Sequence, residues 1–445
     1  MAPDKGFARD HAIVVGSGHA GLLAARVLSE HFNTVTVVER DRVDPDTTFR
    51  AGVPQGYHPH FLLAKGAQII GELFPGLLEE IADAGSPFYD YGENIRLKFP
   101  AGWTPKTTTG IQIQGFSRPF LEQRIRRRLL ELPNVTLADG FTVDRPLFDG
   151  SSGAVTGVIG RDADGEEECL YADAVVVATG RGSRLDHWLR GADLPMPTVK
   201  SIDVKVSYTS RIYQAPPDDG WKVTFAYVYA PDVRRGGGVL ELESGTAMAL
   251  AMGIGEEGCP PDEAEFARFA KSLPFSGMAN YIDGHEPLSE LHRFVDHGDW
   301  WLQVHRMRRW PEGLLVAGDA LCRFNPIYAQ GLTVAALHAK ALAATLDNGG
   351  DAREYHRRAA KVTLTPWLMA SSSDLLWDSG RSPGILARLS HWHLDRVITR
   401  IPGDPDLFNR FAHVQHMLSG AGTLATPGVL WRLAARPRPA VQLRV

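Results

Sequence analysis

Cysteine is scarce: Cys169, Cys259 and Cys322 are all that 445 residues contain. An odd count without metal-ligand spacing argues against a disulfide scaffold or a thiolate metal centre and fits a reduced, cytoplasmic setting. No run of 18 uninterrupted apolar residues exists, so no membrane span is expected. The first six residues, Met1-Ala-Pro-Asp-Lys-Gly6, lack the apolar stretch of a signal peptide. Excess positive charge is missing as well; a net charge of −5 argues against non-specific nucleic-acid binding. No internal repeat is visible. The length leaves room for two or three domains, and 44% apolar with 22% charged residues is a soluble globular composition.

What is present centres on two glycine-bearing turns far apart in the chain. The first follows a short apolar strand, His11–Val15. It reads Gly16-Ser-Gly18-His-Ala-Gly21 and opens a helix from Leu22 to about His31, then a second strand, Thr34–Val38, closed by Glu39. This is a β–α–β dinucleotide fingerprint in its proper context. Gly16 allows the tight turn, Gly18 lets a pyrophosphate approach the backbone, and Gly21 lets helix and strand pack closely. Glu39 is placed to hold the adenosine ribose hydroxyls and disfavours a 2′-phosphate.

The second turn follows Leu314–Ala317, another apolar strand. Gly318-Asp319 leads through Phe324, Asn325, Pro326, Tyr328 and Gln330 to a helix beginning near Gly331, with Leu332, Ala335, Ala336, Ala339 and Leu342 at helical spacing. Asp319 can accept a hydrogen bond from a ribityl hydroxyl, and the helix N-terminus favours an electron-rich ring. An NAD domain needs only the first unit. The two together point to FAD, tightly bound and non-covalent.

Between them, Arg40 follows Glu39, and a turn-rich loop runs to Arg50-Ala-Gly-Val-Pro54-Gln55-Gly-Tyr-His58-Pro-His60. Arg50 is expected near the pyrophosphate and the histidines near the flavin ring; no third ligand cluster supports a metal there. A mostly core helical stretch runs from about Leu62 to Leu78. Ser117 reads as an N-cap with Pro119 in the first helical turn. Phe120, Leu121, Ile125 and Leu129 then share a face, with Arg124, Arg126, Arg127 and Arg128 largely outside and Arg118 directed at the cofactor. Asp162–Gly165 reads as a hairpin turn. A strand, Ala174–Ala178, runs into Thr179-Gly180-Arg181-Gly182-Ser183, a second closure of backbone on the nucleotide. Residues 202–209 and 221–229 alternate with period two, the pattern of an antiparallel sheet with one covered face. Pro260–Leu273 reads as a helix, and helical spacing resumes from Arg353. The expected fold is α/β (α+β): a Rossmann-like FAD-binding domain (1–195, returning at 306–345), an inserted antiparallel-sheet substrate domain (196–305), and a C-terminal helical region (346–445).

With these motifs assembled, the chain resembles the FAD-dependent monooxygenases of the para-hydroxybenzoate hydroxylase fold, and within them the bacterial branch that includes polyether-type and squalene-like epoxidases. The resemblance covers most of residues 10–345 and, more weakly, Thr365-Pro-Trp367. Two departures stand out. Arg181-Gly182 occupies the place where aromatic hydroxylases usually carry Asp-Gly, and Ala329 stands where the epoxidase-like branch commonly has glycine.

The resemblance implies an enzyme of secondary metabolism in which NAD(P)H reduces FAD and O2 adds as a C4a-hydroperoxide. The distal oxygen then epoxidises or hydroxylates a hydrophobic small molecule. The nicotinamide visits transiently, or a separate flavin reductase helps. It implies cofactor contacts at Gly16, Gly18, Gly21, Glu39, Arg40, Arg50, Arg118, Gly180, Gly318, Asp319, Gln330 and Gly331. Pro326, Tyr328, His58 and Phe324 are the candidate catalytic residues. The rivals are a phenol-type hydroxylase, a flavin-dependent reductase of isoprenoid double bonds, a halogenase (disfavoured by the absence of Trp-x-Trp-x-Ile-Pro), and a non-catalytic flavin protein.

Overall fold

Four-to-six-residue apolar runs bounded by glycine or an acid form a buried parallel sheet, as the first turn requires. In space the strands lie in the order Leu314–Val316, Ala174–Val177, His11–Val15, Thr34–Glu39, Val135–Asp139, all parallel. Both glycine turns therefore leave the carboxyl edge of the same sheet, from strands that flank Ala174–Val177 on either side. Helix His19–Leu28 packs against Arg118–Leu130 and Gly331–Asp347 over this sheet. The structure, a computed structural model, describes residues 9–43, 49–50, 52–215, 220–377 and 384–434. The first six residues, the loop at 44–48, Ala51 and the tail from 435 on, Pro439 included, lie outside the described residues.

A second sheet has seven strands in the order His292–Asp296, Val206–Gln214, Thr246–Ile254, Arg235–Glu241, Val223–Ala226, Ile95–Phe99, Gly102–Trp103. Neighbours are antiparallel except Val223–Ala226 and Ile95–Phe99, which run parallel. Two of its strands thus come from the first 195 residues. The alternation expected over 202–209 is split: Val199–Ile202 joins a separate three-stranded sheet with Asp299–Leu302 and Cys322–Arg323.

Period two sorts the strand Thr246–Ile254 by size. Ala247, Ala249 and Ala251 face helices Glu263–Ser272 and Gly277–Gly284, meeting Phe266, Phe269 and Met278. Leu250, Met252 and Ile254 face the other way, into a cluster with Phe225, Ile327 and C-terminal helices. Small residues let two helices lie close on one face; bulky ones project from the other. The tail folds as Ala352–Asp374, Ile385–Arg400, Pro405–Gln415 and Pro427–Ala434, and it covers that bulky face.

Candidate active site

A cavity of about 640 Å³ runs from the first glycine turn, past the second, to the bulky face of the seven-stranded sheet. At its cofactor end the backbone requires glycine. Gly16 sits at φ +103°, and a Cβ there would lie 2.8 Å from the Ala178 carbonyl oxygen. A Cβ on Gly21 would lie 1.8 Å from the Gly16 oxygen, so only glycine lets the helix approach the strand. Gly18, the N-cap of helix His19–Leu28, has no side chain to bond the first amides, and that of His19 goes to Glu122.

Beneath this turn lies a closed ionic network. Glu39 Oε2 accepts from the Ser17 amide at 2.9 Å, the Ser17 hydroxyl at 2.8 Å and Arg50 at 3.1 Å. Arg50 donates its other arm to Glu122 at 3.0 Å. Glu122 Oε1 accepts from Arg118 at 2.8 Å and from the His19 amide at 2.9 Å. Burial raises the Glu122 pKa, but Arg118 and Arg50 outweigh it and hold the carboxyl down at about 2. Burial opposes Glu39 ionisation too, and the Ser17 amide and Arg50 prevail in the same direction.

Glu39, Arg40 and Arg118 line the cavity; Arg50 and Gly21 do not. Arg50, expected beside a pyrophosphate, is 5% exposed and spans two carboxylates behind the wall. Arg126, expected on a solvated face, is buried at 2% exposure. Glu122 escaped the sequence reading, although its i,i+4 spacing from Arg118, between the core positions Leu121 and Ile125, marks an inward-facing ion pair.

At the second turn Gly318 adopts φ +61°, with a would-be Cβ 2.5 Å from Ala20. Its amide donates to His338 Nδ1 at 3.2 Å, and burial holds that imidazole neutral, with a pKa of about 4. Asp319 Oδ2 accepts from Arg181 Nε at 3.2 Å. Oδ1 has no partner among the described residues. Arg181 also pairs with Asp296 and donates to the Phe324 carbonyl at 3.1 Å. It thereby ties the nucleotide sheet to the seven-stranded one. Helix Gly331–Asp347 starts at Gln330 with no side-chain cap, and the buried Thr179 hydroxyl and Gln330 Oε1 find no partner among the described residues. Glycine-only backbone, two uncapped helix starts, a half-free carboxylate and orphaned polar atoms along one cavity fit a dinucleotide with a ribityl chain.

Farther along, Pro326, Phe324 and His58 line the cavity. His58 is buried and hydrogen-bonded through Nδ1 to Ser210; burial and neighbouring His292 lower its pKa to about 4. Tyr328 does not line the cavity. Its hydroxyl donates to Asp374 at 2.7 Å, and Asn325 Nδ2 reaches both Asp374 oxygens at 3.0 Å. Asp374 lies against Asp299, and burial pushes both pKa values up, Asp299 to about 6; repulsion adds to this, from Asp299 on Asp374 and from Asp296 on Asp299. A buried carboxyl pair thus anchors the loop and draws the Tyr328 hydroxyl away from the chamber. Ala329 takes the left-handed region at φ +54°, a conformation that favours glycine, the residue common there in the epoxidase-like branch.

No family model matches the chain. It is 35% identical to protein Rv3254 of Mycobacterium tuberculosis over 396 residues, covering 84% of this chain and 82% of that one. The chain belongs to the FAD-dependent monooxygenases of the para-hydroxybenzoate hydroxylase fold. Among relatives named as monooxygenases, it is 27% identical to the 6-methylpretetramide 4-monooxygenase of Streptomyces rimosus, over 80% of this chain and 79% of that one. It is 30% identical to squalene epoxidase 1 of Arabidopsis thaliana over 42% of its own length and only 33% of the relative's. The fold matches p-nitrophenol 4-monooxygenase from Pseudomonas putida with a TM-score of 0.65 at 17% identity, covering 93% of this chain and 99% of that one. A flavin-dependent brominase also gives 0.65, at 15% identity over 95% and 98% of the two chains. FAD is accordingly the monooxygenase's cofactor. No helix among the described residues is long and apolar enough to cross a membrane.

Proposed function

We propose that the protein uses NAD(P)H and O2 to epoxidise or hydroxylate a hydrophobic small molecule, with FAD seated between the two glycine turns. The carrying observation is the continuity of the cavity. Its nucleotide end is glycine-lined and charged, and it opens directly into a chamber walled by Tyr91, Leu97, Phe225, Tyr227, Met252 and Phe294. In this reading Gly16 and Gly18 admit the pyrophosphate, with Arg118 and Arg40 beside it, while Arg50 stiffens the turn through Glu39 and Glu122. Asp319 Oδ1 takes a ribityl hydroxyl, and the backbone from Gly180 and from Gln330 to Gly331 meets the ring. Bound FAD supplies oxygen activation; the apolar walls exclude water, and Pro326 and Phe324 shape the space beside the ring. The balance is one substrate, one O2 and one NAD(P)H with a proton giving the oxygenated product, NAD(P)+ and water.

Aromatic hydroxylation is the second reading, favoured by His58. Its imidazole lines the cavity and, neutral at pH 7, can hydrogen-bond a phenolic hydroxyl and orient it. Replacing it by Phe would slow phenols selectively and leave alkenes unchanged.

The test is anaerobic reduction of the holoprotein with NAD(P)H, then rapid mixing with O2. A transient band near ~380 nm that lengthens in lifetime with bound substrate supports oxygen transfer. Direct return to oxidised flavin with every candidate ligand sinks it in favour of a reductase.

A further inference from the structure

Six charged residues line the cavity: Glu39, Arg40, Arg118, Arg181, Arg184 and Asp319. All six belong to the cofactor motifs or directly follow them. The chamber beyond contributes no Lys, Arg, Asp or Glu. A ligand carrying a carboxylate, phosphate or ammonium would lose its hydration there and gain no counter-charge. His58 offers no charge at neutral pH either.

One polar cluster interrupts this wall. The Tyr91 hydroxyl donates to Gln415 Oε1 at 2.9 Å. Tyr227 lies beside the same amide, and its hydroxyl donates to the Ile327 carbonyl at 3.4 Å. The Gln415 amide nitrogen has no hydrogen-bond partner among the described residues, and Gln415 lines the cavity. Burial pushes both phenols up, Tyr227 to about 12, so each remains a neutral hydroxyl across the working pH range. Ile327 directly follows Pro326, so the cluster stands where the loop beside the cofactor meets the chamber. Gln415 is the last residue of helix Pro405–Gln415, so this polar point comes from the C-terminal tail.

We propose that Gln415, held between Tyr91 and Tyr227, is a specificity-determining residue, and that the chamber takes an uncharged, largely apolar molecule with a carbonyl or similar oxygen acceptor near the carbon that is oxygenated. This rests on the monooxygenase reading above. The Tyr91 hydroxyl orients the amide, Tyr227 stands beside it, and the free N–H donates to the ligand oxygen. A pure hydrocarbon fits the walls but leaves that donor unpaired, the situation in which a hydrogen-bonding site discriminates.

The test measures equilibrium binding to the oxidised holoprotein by perturbation of flavin absorbance, without turnover, using naphthalene, 1-tetralone and 1-naphthoate. The ketone is expected to bind about tenfold tighter than the hydrocarbon, the equivalent of one well-made hydrogen bond to a buried donor. The carboxylate should bind at least as weakly as naphthalene. Gln415→Leu should abolish the ketone preference and leave naphthalene unchanged. Gln415→Glu, which can still accept from Tyr91 but lacks the N–H, should do the same and covers the case in which the leucine variant fails to fold. Equal binding of ketone and hydrocarbon, tight binding of naphthoate, or a ketone preference that survives both variants would overturn the proposal. Because no turnover is involved, a protein that forms the oxygen-transferring intermediate but shows no preference loses this inference alone. One that shows the preference but never transfers oxygen loses only the monooxygenase reading.

Discussion

The two ends of the cavity are built on opposite rules. At the cofactor end, backbone does the recognising: glycines at φ +103° and +61°, uncapped helix starts, and a charge network in which Glu39, Arg50, Glu122 and Arg118 neutralise one another. At the chamber end, side chains do it: aromatic and aliphatic walls drawn from the sheet and the tail, with one amide among them. The first end tolerates almost no change in shape because backbone atoms lie within a Cβ of one another. The second tolerates exchange of one apolar side chain for another of similar volume. A cofactor shared by many enzymes needs the former, and a substrate particular to one enzyme is accommodated by the latter.

The largest expected effect erases the contrast by unfolding both ends together. His19, His58, His60, His338, His356 and His416 all have pKa values lowered by burial to about 3 or 4. Their unfolded value is near 6.5, so the unfolded chain binds more protons below that pH. Stability is fully present above about 6.5 and falls as pH drops toward 4, by up to about 1.4 kcal/mol per pH unit for each histidine. Urea midpoints should be level from pH 8 to 6.5 and drop steeply by pH 5; a level profile down to pH 5 would show these imidazoles accessible to protons.

Glu122→Leu comes next. It strands Arg50 and Arg118 beside a lone Glu39 and should cost about 3–5 kcal/mol by denaturant titration, with loss of bound FAD on purification. A cost below about 1 kcal/mol would mean that solvent already screens the network. Asp319→Ala should leave the fold intact, since Arg181 keeps Asp296. FAD affinity, followed by ultrafiltration, should fall about tenfold or more for one lost charge-assisted hydrogen bond. Undiminished affinity would remove Asp319 from the cofactor contacts.

The smallest effect sharpens the contrast. Phe225→Leu in the chamber wall should cost less than about 1.5 kcal/mol of stability and leave FAD affinity unchanged, while shifting which ligand sizes perturb the flavin spectrum. A change in FAD affinity as large as that of Asp319→Ala would show that the two ends are not separable.

The two glycine turns and the strands and helices around them were largely legible before any coordinates. Glycine spacing, strand runs and the terminal acid are set by backbone sterics and side-chain period within some thirty residues, and local chemistry of that kind survives in one dimension. The errors were of burial. Arg50 was expected at the cofactor and Arg126 in solvent, yet both lie buried, and Glu122 passed unnoticed among the arginines around it. Charge in a sequence does not say whether a partner from another element will cover it. Tyr328 shows the same limit: its place in the motif suggested the reaction, and Asp374 turned its hydroxyl elsewhere.

The chamber depended on tertiary structure far more. The period-two pattern foretold a covered sheet face, but not that Ile95–Phe99 would join it in parallel or that Val199–Ile202 would leave it. Nothing local could bring Tyr91, Tyr227 and Gln415 together, because their contact depends on how the tail packs over bulky residues of a sheet assembled from distant strands. The sequence by itself determined the cofactor turns, since φ and helix start are properties of a few neighbouring residues. Tertiary structure decided which side chains wall the chamber, since that follows from the burial of large apolar surfaces against one another.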